Sequence, residues 1–266
     1  LIPNGAVDWQ LTPFWEWDGH TLNNRTDLLN TMLDFDYLPS GDLIMVRQTD
    51  ATNQLDRLTP DGKQYPVVEL PGAFQIDVSD NGSWLLANGV DAEGKAFTEL
   101  LNLMTLEHCF ITDERLVLSD GQWTWAGDDL IYIRDGNQIQ HQTRDGKEQT
   151  LWRLPQIIHD ETIGTLALSP DRQSLAFTAD YNKLSGDSQH NLFVLDLKQA
   201  NNGNSLRGLR QIPTQQVQPY GLSWSSGNKL SYLVPDLQTT QTWNYKIEDQ
   251  IVLRLDLWMA SPLWRP

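Results

Sequence analysis

The sequence predicts an all-β fold, a β-propeller of four-stranded antiparallel blades, and three observations predict it. Within residues 164–197, Leu166 and Leu168 precede a Ser169-Pro170-Asp171 turn, Leu175–Phe177 follows, and Leu192–Leu197 comes after a polar loop. Short apolar runs bounded by Ser, Pro, Asp and Gly read as consecutive antiparallel strands. Weaker copies of this hairpin recur: residues 15–22 and 123–130 both spell W-x-W-x-G-x-x-L, and residues 222–230 repeat it with one extra turn residue. The first apolar residue after each turn falls at Leu22, Leu43, Trp84, Leu130, Leu175 and Leu230, so from Leu43 onward the spacing is 41, 46, 45 and 55 residues. A period of about 40–50 residues with several strands in each repeat is the propeller signature.

Each element follows from the same logic. Residues 1–14, broken by Pro3, Gly5 and Pro13, form a lead-in strand, and residues 15–33 make a short, irregular first unit. The first full repeat spans 34–73: Phe35 and Tyr37, the Pro39-Ser40-Gly41 turn, Leu43–Val46, then Leu55–Leu58 and Tyr65–Leu70 joined by Thr59-Pro60-Asp61-Gly62. The second, 74–121, carries Ile76 and Val78, the turn at 79–82, Trp84–Ala87, and outer strands at Leu100–Leu106 and His108–Thr112. The third, 122–163, joins Gln138–Thr143 to Thr150–Leu154 through Arg144-Asp145-Gly146. The fourth, 164–219, ends on Leu209–Ile212. The fifth, 220–266, places its outer strands at Ile251–Leu257 and Met259–Trp264. Only Thr26–Leu33 suggests a helical turn. Residues 15–266 are thus expected to form one propeller of six blades with the first irregular, or of five if residues 15–33 only lead in. Blades packed face to face bury both sides of each sheet. Trp125 and Trp224, in one column with Tyr37, Val78 and Leu168, are therefore expected as packing residues, and Trp15 and Trp17 likewise.

The element Ser169-Pro170-Asp171 followed by Leu175-Ala176-Phe177, and then Asn191–Leu197, resembles the repeat of TolB-like β-propellers. Arg172 stands where that family usually has Gly. The Thr59–Gly62 and Arg144–Gly146 turns resemble the family's outer turn. The resemblance covers roughly residues 34–266 and implies the propeller fold. It also implies two contexts in which such propellers occur: beside the catalytic domain of prolyl-oligopeptidase-like peptidases, and as the extracytoplasmic sensor part of membrane-anchored winged-helix regulators.

The chain of 266 residues carries 35 acidic and 19 basic side chains, a net charge of −16. That balance disfavours nucleic acid and anionic membrane as partners, because phosphate contacts require Lys and Arg. No run approaches the roughly 18 apolar residues of a membrane span. A start without Met fits a processed chain or a domain of a larger protein. The single cysteine, Cys109, excludes an internal disulfide, and its place in Cys109-Phe110-Ile111 predicts a buried thiol. A chain poor in cysteine suits either the cytoplasm or the periplasm; the sensor context that the resemblance implies makes an extracytoplasmic location the expectation, with the cytoplasm as the alternative.

Catalytic patterns are missing. Gly221-Leu222-Ser223-Trp224-Ser225 fails the nucleophile elbow at its last residue, and its serine lies in an expected strand. The five histidines have no metal-ligand spacing, and no phosphate-binding glycine motif occurs. Residues 79–84 imitate a sialidase Asp-box with Asp and Trp one place early, which reads as a turn. Asp50, Asp180 and Asp187 lack the spacing of a calcium loop. No catalytic residue, metal or cofactor is expected, and the chain reads as a non-enzyme.

Propellers bind through loops that differ between blades. The longest here join second to third strands. They nominate Asp180, Tyr181 and His190 in the fourth repeat, and Trp243 and Tyr245 in the fifth, as residues for a protein or peptide partner. Trp243 and Tyr245 suit a strand face equally well. A glycan-binding or glycan-processing propeller and a peptidase accessory are the alternatives. The Ser169–Asp171 turn reads as scaffolding.

Overall fold

The computed structural model describes residues 15–17, 22–24, 31–111, 117–119, 121–155, 162–181, 183, 189–200, 206–212, 214, 219–225, 227–235, 240–246 and 251–255. For 15–17, 22–24, 110, 220, 235, 240–244, 246 and 251–255 this covers the backbone alone. The chain divides into two compact units, Leu1–Val117 and Leu118–Pro266.

In the first unit, β1 (Trp15–Trp17) and β2 (Leu22–Asn24) form a two-stranded antiparallel sheet. The first four-stranded sheet follows as β3 (Met32–Tyr37), β4 (Leu43–Gln48), β5 (Asn53–Leu58) and β6 (Gln64–Glu69). The second is β7 (Ala73–Val78), β8 (Trp84–Val90), β9 (Ala96–Asn102) and β10 (His108–Phe110). In the second unit the third sheet is β11 (Trp123–Ala126), β12 (Asp129–Arg134), β13 (Gln138–Gln142) and β14 (Glu148–Arg153). The fourth is β15 (Ile163–Leu168), β16 (Ser174–Asp180), β17 (His190–Asp196) and β18 (Leu209–Ile212), and the fifth is β19 (Tyr220–Trp224), β20 (Lys229–Pro235), β21 (Thr240–Lys246) and β22 (Ile251–Leu255). Every four-stranded sheet runs in chain order with antiparallel neighbours, the arrangement expected of propeller blades.

Local turn chemistry sets these meanders. Ser169 Oγ accepts from the Ser174 amide at 2.9 Å and donates to Asp171 Oδ1 at 2.6 Å. Ser79 repeats the device, accepting from the Trp84 amide at 2.9 Å and donating to Asn81 Oδ1 at 3.2 Å. The 79–84 segment is therefore a hairpin turn of the same kind as 169–174. The two Thr-x-Asp-Gly-Lys turns also match. Thr59 and Thr143 each donate to the Asp two residues on, and Lys63 and Lys147 pair with the same carboxylates. Lys147, then Thr143, hold the Asp145 carboxyl well below its usual range, at about 2.

Sheet faces meet in apolar clusters. Ile44, Val46 and Leu55 of the first sheet pack with Ile76, Val78 and Leu85 of the second. Asp34 Oδ2 and Asp36 Oδ2 on β3 accept from the Ile76 and Val78 amides of β7, each at 2.8 Å, tying the first strands of these two sheets together. Between the third and fourth sheets lie Trp152, Phe177 and Phe193. Between the fourth and fifth lie Val194, Trp224 and Tyr232. Trp224 Nε1 donates to the Ala167 carbonyl at 2.9 Å, and both Trp125 and Trp224 are buried, as packing residues should be. Burial, with nothing in contact to favour the phenolate, pushes the Tyr232 hydroxyl above its ordinary value.

Several expectations are corrected. Val78 pairs with Leu85, just as Leu168 pairs with Leu175 and Trp224 with Leu230, so the repeat column runs through Leu85 and not Trp84. The turn at 79–84 is one residue longer than its apolar pattern suggests. In the fifth sheet the third strand is β21 and residues 251–255 form the fourth; the segment 259–264 lies outside the described residues. Met32 and Leu33 belong to β3 and not to a helical turn, and 26–30 lie outside the described residues. Cys109 is exposed, because β10 is the last strand of its sheet and pairs on one side only. The native protein should therefore react with one equivalent of a disulfide-exchange reagent without denaturant. Labelling that requires unfolding would contradict this exposure.

Candidate functional site

The fourth sheet has two working ends. β15 and β17 run toward one end, where the turn at 169–173 and the segment after Asp196 lie. β16 and β18 run toward the other, where β16 hands over to β17. Of the residues nominated from the sequence, Asp180, Tyr181 and His190 belong to this second end, whereas Trp243 and Tyr245 lie on β21 of the fifth sheet.

Only part of that nominated set is accessible. Asp180 and His190 stand directly opposite across β16 and β17, and the His190 Nδ1 atom pairs with Asp180 Oδ1. His190 is exposed and its carbonyl accepts from Thr214 Oγ1 at 3.5 Å. Tyr181 is a correction: it is 7% exposed and stacks on Phe193, with ring centroids 5.9 Å apart. Tyr181 and Lys183 are both held against the sheet. Asn191 Nδ2 holds the Tyr181 carbonyl at 2.9 Å, and Lys183 Nζ reaches the Leu209 carbonyl at 2.6 Å. An aromatic ring beside the gap between two sheets gains more from filling it than from facing water. Tyr245 is a second correction, being 4% exposed within the cluster between the fourth and fifth sheets. Trp243 lies on β21 opposite Tyr232, a strand position rather than a loop, and its side chain is outside the description.

Two further histidines pair with carboxylates across strands: His141 Nε2 with Asp129 Oδ2 at 3.0 Å, and His108 Nδ1 with Glu99 Oε2 at 3.2 Å. Each such pair belongs to a different sheet. Among the described residues no three His, Cys, Asp or Glu side chains gather into a metal-holding group.

The turn end carries a cleft of about 320 Å³, which the sequence reading did not nominate. Its wall includes Asp171, Asp196, Lys198, Arg210 and Asn228, and Val194 lies at its base. Register explains the grouping: Ser174 faces Asp196 and Val194 faces Arg210, so one face of the fourth sheet presents all four side chains at this end. Asn228, from the turn of the fifth sheet, donates through Nδ2 to Asp171 Oδ2 at 2.8 Å. Asp196 takes the Lys198 amide at 3.0 Å on Oδ1 and Gln199 Nε2 at 2.7 Å on Oδ2. The signal in the sequence was the Ser-Pro-Asp turn together with Asp196, the aspartate that ends the third strand of the sheet.

Burial acts to raise the Asp171 carboxyl, but hydrogen bonds from Ser169, the Gln173 amide and Asn228, with the charge of Lys198, outweigh it and hold the carboxyl below its ordinary value. A depressed folded-state value contributes stability above the unfolded carboxylate pKa, and this is lost as pH falls below about 4. Asp171→Asn should flatten that acid limb. Denaturant midpoints at pH 7 and pH 3 test it, and an unchanged difference between the two would contradict the assignment.

No family model and no curated protein match the sequence. Solved structures do match its fold. TolB from Acinetobacter baumannii superposes with a TM-score of 0.53 at 14% identity, over 90% of this chain and 58% of that one. The putative TolB from Agrobacterium tumefaciens gives 0.54 at 18%, over 87% and 84%. Dipeptidyl peptidase 4 from Porphyromonas gingivalis gives 0.60 at 11%, over 83% and 39%. The chain thus has a TolB-like β-propeller fold, and it spans less than two thirds of the Acinetobacter TolB.

Proposed function

We propose that this chain is a non-catalytic binding module that takes a peptide segment of a protein partner into the cleft at the turn end of its fourth sheet. The observation that carries this reading is the cleft itself, a largely polar recess beside Val194 in which Asp171 and Asp196 are fixed by hydrogen bonds of their own. That is the construction of a recognition site, and its volume lies at the small end of the roughly 300–1,000 Å³ typical of ligand pockets. A short stretch of chain suits it. Likeness of fold to dipeptidyl peptidase 4, whose name places peptides at that protein, agrees with a peptide ligand. The glycan alternative loses ground because, of the tryptophans whose side chains are described, Trp123, Trp125, Trp152 and Trp224 are buried and Trp84 is half-buried.

Selection from a random displayed-peptide library on the immobilised protein tests the reading. A convergent peptide that binds in solution, and is displaced when the cleft is altered, is the expected result. Failure of any peptide to converge, with binding on a glycan array, would overturn it.

A further inference from the structure

We propose that the cleft selects for a carboxylate, carried on an acidic side chain or on a chain terminus; this rests on the peptide reading above. The cleft holds two carboxylates and two cations, so its formal charge is balanced, but the groups are not equally committed. Both oxygens of Asp171 are taken, Oδ1 by Ser169 Oγ and the Gln173 amide, and Oδ2 by Asn228. Both oxygens of Asp196 are taken as well, by the Lys198 amide and Gln199. The Ser174 amide is spent on Ser169 Oγ. Each carboxylate oxygen in the cleft thus already holds at least one hydrogen bond from within the protein.

The cations are less committed. Lys198 and Arg210 line the same cleft, both exposed, and neither lies within ion-pair distance of a carboxylate among the described residues. Lys198 acts on Asp171 through its field without touching it. Arg47, Arg57, Lys63, Arg134 and Lys147 each close on a carboxylate. Lys198 and Arg210 stand in the same cleft as Asp171 and Asp196, whose oxygens are already hydrogen-bonded within the protein. The reason is local: the turns draw both aspartates inward as caps. Val194 stands directly across the strand pair from Arg210, so the guanidinium rises beside the apolar base. A segment seated on Val194 would bring a carboxylate to the planar fork of Arg210, the geometry in which arginine binds carboxylates through two parallel hydrogen bonds.

The test uses three probes by fluorescence anisotropy: a capped peptide of alternating glycine and glutamate, its glutamine counterpart, and an uncapped glycine–glutamine peptide with a free C-terminal carboxylate. The expected result is at least tenfold tighter binding of either carboxylate-bearing probe over the capped glutamine peptide, and which of the two wins identifies the source. Arg210→Glu should abolish the preference, Lys198→Glu should weaken it, and Arg210→Lys should retain part. Arg210 is exposed on the last strand of its sheet, so an unchanged circular-dichroism spectrum and melting temperature certify each variant. Equal binding of glutamate and glutamine probes, or a preference that survives Arg210→Glu, overturns the carboxylate assignment. If the displayed library still yields a convergent peptide in that event, the peptide reading stands without it; if neither probe nor library binds, both fall.

Discussion

Trp152→Ala is expected to destabilise the second unit by about 3–5 kcal/mol, the range for deleting a fully buried tryptophan. Trp152 lies on β14 with no exposed surface, and it is the side chain through which the third sheet grips the fourth. Its ring centroid is 4.8 Å from Phe177, 6.4 Å from Phe193 and 6.5 Å from Tyr181. Truncation would leave three aromatic rings facing a void, in rigid sheets that cannot collapse around it. Since whole domains are stable by about 5–15 kcal/mol, the loss is a large share of the total. Trp152→Phe keeps a ring against Phe177 and should cost clearly less. Urea midpoints of the two variants give the comparison, and a loss below about 1 kcal/mol for the alanine variant would show that this cluster does not join the sheets.

Gly72→Ala should be at least as damaging to the first unit, by more than about 3 kcal/mol, and for a backbone reason. Gly72 has φ +78°, where an L side chain is strained, and an added Cβ would lie 2.0 Å from the Val90 carbonyl oxygen. That oxygen belongs to the strand that Gly72 itself caps, for the Val90 amide donates to the Gly72 carbonyl at 3.0 Å. Relief therefore requires moving the end of β8. Gly94 supplies the control, with φ +77° and nothing within 4 Å of its Cβ position. Gly94→Ala carries only the conformational cost, about 1 kcal/mol. Equal effects of the two substitutions in denaturant unfolding would mean that β8 yields, and that the contact with Val90 is not what restricts residue 72.

Much of the strand plan was legible because it depends on nearby residues. Alternating apolar residues fix which face of a strand is buried, and Ser-x-Asp or Thr-x-Asp-Gly-Lys turns close hairpins by hydrogen bonds within five residues. The places where the reading slipped are those where spacing alone was used. Trp84 was taken for the column residue, yet pairing with Val78 belongs to Leu85. Trp243 and Tyr245 fitted a loop or a strand face equally well, and they lie on β21. Cys109 sits in an apolar run, but it lies on β10, which pairs along one edge only.

The nominated site illustrates the same limit. Loop length singled out Tyr181, yet its ring packs in the core, since nothing in a linear pattern states which residue beside a strand end meets the neighbouring sheet. The cleft on the turn side was missed for the converse reason. Its residues come from positions 171, 194, 196, 198, 210 and 228, which no local pattern links.

By itself the sequence determined the repeat, the strand order and the turn chemistry, because each is set by residues a few places apart. Tertiary structure alone decided which polar groups remain open. Asp171 and Asp196 look like free carboxylates on paper, and Lys198 and Arg210 look like ordinary surface charges. Only the pairing of strands and the reach of Asn228 from the next sheet show the acceptors satisfied and the cations unmet, because hydrogen-bond satisfaction is a property of neighbours in space.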